Sequence, residues 1–354
     1  MRKRYRELGF SIGRLPTGEK NCITDVPDVA VGHQTLQYNI DEENQACTGV
    51  TAILPHQENT FQNKVIAASH VLNGFGKSTG LVQLNELGRL ESPIMLTNTF
   101  GVPQVAQGTL EYLLDQNPDI GNTTGTANVV VGECNDSYLN AIRKFPVTSL
   151  HAQQAITSAS TKQVTEGAVG AGSGMICCEF KGGIGTSSRV VNTEAETYTL
   201  GCLVLSNFGK KNDLLYYNKD MPHSETAVDL LKPSQADGSI MIILATNAPV
   251  NERQLKRISK RCGIGLGRTG SHMANGSGDI VIAFSNASTL PHYQESSLEK
   301  SVQLRDDHPI MTDLFTAASE ATQEAILNSL TMAETTTGHK SRTVEAFPYD
   351  LLKK

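Results

Sequence analysis

The sequence predicts a layered α/β or α+β fold, because apolar strand-like runs and amphipathic helical segments alternate along it. The 354 residues are 39% hydrophobic and 19% charged, which is ordinary for a folded chain that buries a sizeable core. Continuous apolar runs are typical of strands buried on both faces, and four stand out: Asn128–Val131, Gly201–Leu205, Ser239–Ala245 and Ile280–Phe284. No repeat or linker divides the chain, so we expect one catalytic domain, residues 1–354.

Shorter apolar runs separated by Pro, Gly and Asp fill the N-terminal part of the chain. They predict three further strands: Ile23–Val26, Val29–Val31 and Val50–Leu54. Segments with apolar residues at helical spacing predict three helices: Pro103–Asp115, Asn251–Cys262 and Met311–Thr335. The polar stretch Tyr216–Gln235, between two predicted strands, is interpreted as a surface excursion.

The charge pattern argues against several classes of partner. The chain has 30 Lys and Arg residues against 36 Asp and Glu, a formal net charge of −6, and no basic run that would supply a phosphate-binding face. No segment has the length and apolar character of a secretory signal or a membrane span. We therefore expect neither nucleic acid nor a membrane as a partner.

The cysteines and histidines suggest no metal site. The seven cysteines are scattered, with no C-x-x-C pair, and the nine histidines form no H-x-x-x-H pattern. An odd number of scattered cysteines fits a reducing compartment better than a disulfide framework. We expect a cytoplasmic protein that needs neither a metal nor another cofactor.

One glycine motif resembles a nucleotide-binding fingerprint. Gly265–Gly270 reads G-x-G-x-x-G, but it follows a predicted helix, whereas the dinucleotide fingerprint follows a strand and begins a helix. Helix C-cap and turn roles account better for these glycines.

Five turns rich in small residues lie at the ends of apolar strands, where functional loops tend to converge. They are Asn73–Gly76, Gly132–Asp136, Ser206–Gly209, Asp237–Ile240 and Asn275–Asp279. Each alone is accounted for as an ordinary turn, since Asn, Gly, Ser and Asp dominate turns for conformational reasons. Together they lead us to expect one site at the strand ends.

Gly238 and Ser239 have the chemistry of a self-cleavage site. A hydroxyl residue that begins a buried strand after a glycine is suited to attack the preceding carbonyl in an N-to-O acyl shift. Hydrolysis of the resulting ester would make Ser239 an N-terminus. Its α-amine, with an ordinary pKa near 7.7–8.0, could then act as a base close to neutral pH.

Ten segments in order resemble the L-aminopeptidase/D-amino-acid esterase family, whose relatives include the β-peptidyl aminopeptidases. They are Ile23–Pro27, Val31–His33, Gly49–His56, Leu96–Val102, Gly170–Met175, Phe180–Arg189, Asp237–Ile240, Leu244–Val250, Gln254–Arg261 and Ser277–Ser285. The resemblance covers roughly residues 8 to 340. It implies an αββα four-layer sandwich related to ornithine acetyltransferase and to N-terminal-nucleophile hydrolases, within the α/β class.

The resemblance also implies roles for particular residues. Ser239 matches the nucleophile, exposed by self-cleavage into residues 1–238 and 239–354, and Ser277 and Asp279 match the family's serine and carboxylate beside it. Asn207 matches the oxyanion-stabilising asparagine, and Glu133 matches the glutamate that holds the substrate amine. Substrates would be short peptides, amides or esters with a free amine, and processed protomers would form a homotetramer.

The substrate pocket departs from the family pattern at two positions. Cys134 follows Glu133 where the family motif has threonine, and Asn135 stands where an aromatic residue is expected in well-known members. The side-chain preference of this pocket is therefore left open by the sequence.

Two other functions remain open at this point. An acyl-enzyme can transfer its acyl group to an amine, as ornithine acetyltransferases do, although those enzymes use threonine as the nucleophile. A catalytically inactive binding homologue is the second alternative, and the retained Ser239 and Asp279 weigh against it.

Overall fold

The computed structural model describes residues 1–193, 196–215, 238–294, 296–298 and 300–352 and shows two β-sheets stacked face to face. The strands are β1 Ala30–Asn39, β2 Gln45–Leu54, β3 Asn63–Gly74, β4 Arg89–Leu90, β5 Ile94–Asn98, β6 Val130–Cys134, β7 Ile176–Cys177, β8 Phe180–Lys181, β9 Gly183–Asn192, β10 Thr197–Asn207, β11 Ser239–Thr246, β12 Gly278–Pro291, β13 Thr336–Gly338 and β14 Arg342–Val344. The α-helices are α1 Leu81–Leu87, α2 Val102–Gln116, α3 Ser149–Thr157, α4 Glu252–Ser259, α5 Cys262–Gly267 and α6 Ile310–Thr331.

The larger sheet has the order β4-β3-β12-β11-β10-β9, and the smaller has the order β1-β2-β5-β6. Within the larger sheet only β11 and β12 run parallel; within the smaller, only β5 and β6 do. The hairpin β7-β8 and the pair β13-β14 stand apart from both sheets.

Apolar residues from both sheets form the core between them. Leu96 and Val130 of the smaller sheet pack in one buried cluster with Leu205, Met241 and Ile282 of the larger sheet. Because strand side chains alternate between faces, the intervening residues of the same strands face outward and need a second cover.

Helices supply that cover on both sides. α4, α5 and α6 pack on the outer face of the larger sheet, in a cluster that includes Ile242 and Ala318. α2 and α3 cover the smaller sheet, in a cluster that includes Met95 and Ala152. The layers are therefore helix, sheet, sheet and helix, and the predicted α/β class with its αββα four-layer sandwich is confirmed.

Three of the four buried apolar runs and the helix at 103–115 lie within observed elements, whereas only Val130 and Val131 of the predicted strand Asn128–Val131 lie in β6. Three other predictions also need correction. Ile23–Val26 is not a strand: Ile23–Asp25 forms a 3₁₀-helix whose Asp25 carboxylate accepts hydrogen bonds from the backbone N–H groups of Lys20 and Cys22. The single helix predicted over 251–262 is α4 followed by the separate α5. Gly265 and Gly267 lie inside α5 rather than capping a helix.

Tyr216–Gln235, predicted to be a surface excursion, lies outside the described residues. In the described ranges, no helix has both the length and the apolar character needed to cross a membrane.

Candidate active site

Three neighbouring strands of the larger sheet bring Asn207, Ser239 and Gly278 side by side. Asn207 ends β10 and pairs with Ser239, which begins β11, and Ser239 in turn pairs with Gly278 at the start of β12. Directly paired residues point to the same face of a sheet, so the side chains of Asn207 and Ser239 are neighbours. The backbone N–H of Gly278 donates to Ser239 Oγ at 3.2 Å.

Close packing accounts for the glycine before Ser239. A Cβ at Gly238 would lie 2.0 Å from the carbonyl oxygen of Asn207, a distance that no side chain tolerates. A glycine here allows the chain to enter β11 directly against the end of β10.

Ser277 and Asp279 flank Gly278 and form a hydroxyl–carboxylate pair. Ser277 Oγ donates to Asp279 Oδ1 at 2.6 Å, while Oδ2 is buried with no hydrogen-bond partner among the described residues. Burial raises the pKa of Asp279 to about 6, against hydrogen bonds from Ser277 and from the backbone of Ile240 that lower it. The carboxylate can therefore accept a further cationic donor beside Ser239.

The amide of Asn207 is held at both ends. Its Oδ1 accepts from the backbone N–H of Ile176 at 2.8 Å, and its Nδ2 donates to the carbonyl of Asn135 at 3.0 Å. The Asn135 side chain is exposed and accepts from the backbone N–H of Ser137 at 2.9 Å. The structure thus brings Asn135 to the site through its backbone.

Glu133 lies at the end of β6, in the opposite sheet, and its side chain is buried. Oε1 accepts from the backbone N–H of Lys77 at 2.8 Å, and Oε2 accepts from Thr99 Oγ1 at 2.5 Å. A Cβ placed on Gly76 would stand 3.5 Å from Glu133 Oε1 and 4.0 Å from the Cα of Gly278. The Glu133 carboxylate therefore borders the same small space as the residues around Ser239.

The strand-end turns converge as the sequence predicts, within the residues described. Asn73 Nδ2 donates to the carbonyls of Asn275 and Ser277, at 3.1 and 2.5 Å, which ties the turn after β3 to the turn before β12. The turn after β6 touches Asn207 at the end of β10. Asp237 lies outside the described residues.

Sequence reasoning missed the groups that orient these side chains. Thr99 and the Lys77 backbone position Glu133, and the Ile176 backbone positions Asn207. Thr99 lies within Leu96–Val102, one of the segments that carry the family resemblance, but the sequence assigns no role to its hydroxyl. Across the described ranges, no group of three or more His, Cys, Asp or Glu residues is arranged to hold a metal ion.

The model of peptidase family S58 matches residues 21–344. The chain belongs to peptidase family S58. The beta-peptidyl aminopeptidases BapA of Sphingosinicella microcystinivorans and Sphingosinicella xenopeptidilytica are 37% and 35% identical to it, covering 99% of this chain and 91% and 90% of theirs.

Solved structures of similar proteins match over nearly the whole chain. A protein from Pyrococcus horikoshii OT3 has 46% identity and a TM-score of 0.89, covering 99% of this chain and 98% of its own. The L-aminopeptidase D-Ala-esterase/amidase of Ochrobactrum anthropi, described as a variant of the Ntn hydrolase fold, has 34% identity and a TM-score of 0.86, covering 99% and 96%. The resemblance predicted from sequence is confirmed, and this S58 chain is a peptide-bond hydrolase of the aminopeptidase type.

Proposed function

We propose that this S58 peptidase cleaves itself before Ser239 and then uses Ser239 as the nucleophile of an aminopeptidase. The observation that carries the proposal is the alignment of Asn207, Ser239 and Gly278 on three paired strands. This alignment puts an amide donor on one side of the Ser239 hydroxyl and the Ser277–Asp279 pair on the other.

Self-cleavage follows from the position of Ser239 Oγ one residue after the Gly238 carbonyl. The oxygen attacks that carbonyl carbon, the Gly238–Ser239 C–N bond breaks, and the released nitrogen becomes a free amine while an ester forms. Water then hydrolyses the ester. The products are a carboxylate on Gly238 and a free Ser239 N-terminus.

In turnover the Ser239 α-amine takes the proton of its own hydroxyl as Oγ attacks the substrate carbonyl. Asp279 and Ser277 hold the resulting ammonium group, since the unpaired Asp279 Oδ2 is buried beside this position. Asn207 Nδ2 donates to the oxyanion. The leaving amine receives the proton, and water releases the acyl group from Ser239.

Substrate selection is assigned to Glu133. Its buried carboxylate accepts two neutral hydrogen bonds and forms no ion pair among the described residues, so a substrate ammonium group would supply its charge partner. We propose short peptides, amides and esters with a free amine as substrates. Asn135 borders the same site through its carbonyl, which accepts from Asn207.

The proposal extends to assembly and compartment. A homotetramer of processed protomers is proposed from the family resemblance, and large apolar side chains exposed on α1, Val82 and Leu87, are available for contacts between copies. A reducing cytoplasm is proposed because all seven cysteines are free and buried. Light scattering on the purified protein tests the first of these proposals.

A denaturing gel with mass spectrometry tests the central proposal. The wild-type chain should give fragments of 238 and 116 residues, about 25.6 and 12.5 kDa when 38.1 kDa is divided by length. Ser239→Ala, which lacks the attacking oxygen, should give one intact, inactive chain. Ser285→Ala removes a buried hydroxyl at the opposite end of the β11–β12 pair, where Ser285 pairs with Thr246, and is the control: it keeps Ser239 and should still be cut.

Other outcomes identify the alternatives. A Ser239→Ala chain that still splits at this bond refutes the autocatalytic mechanism. Product formed only with an added amine acceptor would indicate acyl transfer, and an uncut, inactive wild-type chain would indicate a binding homologue.

A further inference from the structure

The Asn207 side chain is oriented by a peptide group in the hairpin β7-β8. The Ile176 N–H donates to Oδ1 at 2.8 Å, so the Nδ2 end of the amide points away from Ile176. One Nδ2 hydrogen goes to the Asn135 carbonyl. The other has no acceptor in the described part of the chain and is the one that can reach an oxyanion.

The same peptide group accepts a hydrogen bond from a buried ammonium group. The carbonyl of Met175, bonded directly to the Ile176 nitrogen, accepts from Lys181 Nζ at 2.8 Å. The remaining two ammonium hydrogens go to the carbonyls of Gly172 and Gly182, at 2.9 and 2.8 Å. Lys181 has no exposed surface, and three carbonyl dipoles satisfy its three donors.

Burying this charge is unfavourable. Desolvation lowers the pKa of Lys181 to about 8, and the nearby Cys47 and Asp136 side chains partly offset that effect. Burying an ion is unfavourable even after the protein relaxes around it. Only the Met175–Ile176 peptide group separates Lys181 from Asn207. Because its burial is unfavourable, we infer that Lys181 does more than fill space.

We propose that Lys181 is a positioning residue for Asn207, polarising the Met175–Ile176 peptide group so that Asn207 becomes a better oxyanion donor. This inference rests on the proposed oxyanion role of Asn207.

The physical basis is the alignment of dipoles along one path. A cation at the Met175 carbonyl draws electron density towards that oxygen and makes the Ile176 N–H a stronger donor. The stronger bond to Oδ1 in turn makes the Nδ2 hydrogens of Asn207 better donors, since chained hydrogen bonds strengthen one another by roughly 10–30% each. The gain is largest when negative charge develops on the substrate oxygen, so it should appear in kcat rather than in KM.

The test is a double-mutant cycle with Lys181→Gln and Asn207→Ala, assayed on an aminoacyl p-nitroanilide. Rates are expressed per mole of free Ser239 N-terminus, counted by mass spectrometry, so that incomplete processing does not enter kcat. Lys181→Gln should lower kcat about tenfold with KM within about twofold, less than the 10²–10³ expected for loss of an oxyanion donor. In the Asn207→Ala background it should have no further effect.

Lys64→Gln is the matched control. Lys64 is also buried and donates to a backbone carbonyl, that of Phe61 at 2.8 Å, but it pairs with Leu290 at the far end of β12 from Gly278. This variant should keep the wild-type kcat. An equal loss in Lys64→Gln would show that any buried lysine has this effect and would overturn the proposal.

The outcomes separate this inference from the proposed function. Unchanged kcat in Asn207→Ala would refute the oxyanion assignment and, with it, the role of Lys181. A slow Asn207→Ala enzyme in which Lys181→Gln causes the same further loss as in wild type would overturn only the role of Lys181. If Lys181→Gln does not fold, a backbone ester at Ile176 removes the N–H alone, and a wild-type kcat for that ester would also overturn it.

Discussion

Glu133 separates an aminopeptidase from a general amidase or esterase. The informative change is Glu133→Gln, which keeps the shape of the side chain and removes its charge. The glutamine oxygen can still accept from the Lys77 N–H, and the Thr99 hydroxyl can rotate to accept from the new amide nitrogen. The fold around β6 should therefore survive, and the loss should report on the substrate ammonium group.

The magnitude follows from the burial of this carboxylate. Glu133 is only 4% exposed, so solvent and salt screen its interaction with a bound ammonium group weakly. A hydrogen bond to a charged partner contributes roughly 1.5–3 kcal/mol, so kcat/KM should fall about tenfold to more than a hundredfold for substrates with a free amine. N-acetylated or simple esters, which lack the ammonium group, should show a slight change.

The assay compares kcat/KM on matched esters and p-nitroanilides with free and acetylated amines. Glu91→Gln is the control: Glu91 is also buried and accepts from the backbone and side-chain N–H groups of Asn128 at 2.8 and 2.9 Å, away from Ser239. It should lose stability without changing the preference for a free amine. Glu133→Gln should also still cut before Ser239, since the Gly238 peptide presents no free amine.

An equal fall on both substrate types would refute the reasoning. It would place Glu133 in the catalytic machinery or in the support of the fold, and failure of the variant to self-process would indicate the same. No change on either substrate would mean that the carboxylate has no contact with the substrate amine.

Two further predictions concern stability. In the uncut Ser239→Ala chain, burial raises the pKa of Asp279 to about 6, so the folded state binds this proton more tightly than the unfolded state does. The free energy of unfolding should therefore fall as the pH rises from about 4 to about 6. At pH 8, the Ser239→Ala chain that also carries Asp279→Asn should have a higher melting temperature than Ser239→Ala alone. This difference in melting temperature should disappear on acidification, and a difference independent of pH would contradict the burial argument. Arg189 donates to Glu320 and Glu324 on α6, all three buried, and these partners lie on opposite sides of the proposed cut. Arg189→Met should lower the free energy of unfolding in urea by about 3–5 kcal/mol and promote separation of the two fragments. Arg305→Met, which breaks an exposed pair with Asp307, should change that free energy little. Equal urea midpoints for the two variants would contradict this prediction.

Strands β9, β10 and β11 show which features of a strand can be predicted from the sequence. Ser239–Ala245 in β11 and Gly201–Leu205 in β10 are continuous apolar runs, and the sequence predicts both as strands. The sequence does not predict β9, which is rich in Gly, Ser and Thr. This strand is covered by α6 partly through hydrogen bonds, such as the one that Ser187 Oγ donates to the carbonyl of Ala321. Periodicity of apolar residues cannot reveal a strand covered in this way.

The candidate site likewise contains residues that the sequence predicts and residues that it does not. Turn residues at strand ends and the Gly238–Ser239 pair can be found in a sequence, because their chemistry is local. The groups that orient them are distant: Ile176 reaches Asn207 from 31 positions away, and Thr99 reaches Glu133 from 34. Backbone donors and single hydroxyl groups have no distinctive pattern, so only the fold shows which of them meet the site.

Strand pairing also accounts for how a chain could be cut at its active site and keep its geometry. Ser239 pairs with Asn207 on one side and with Gly278 on the other, so the sheet holds the first residue of β11 independently of the peptide bond before it. The next residues of β11 are buried in the apolar clusters on both faces of the sheet, including Ile240 and Met241. Cleavage at Gly238 would therefore release an amine at a position that the neighbouring strands already define, which is the condition for the new N-terminus to act as a base on its own hydroxyl.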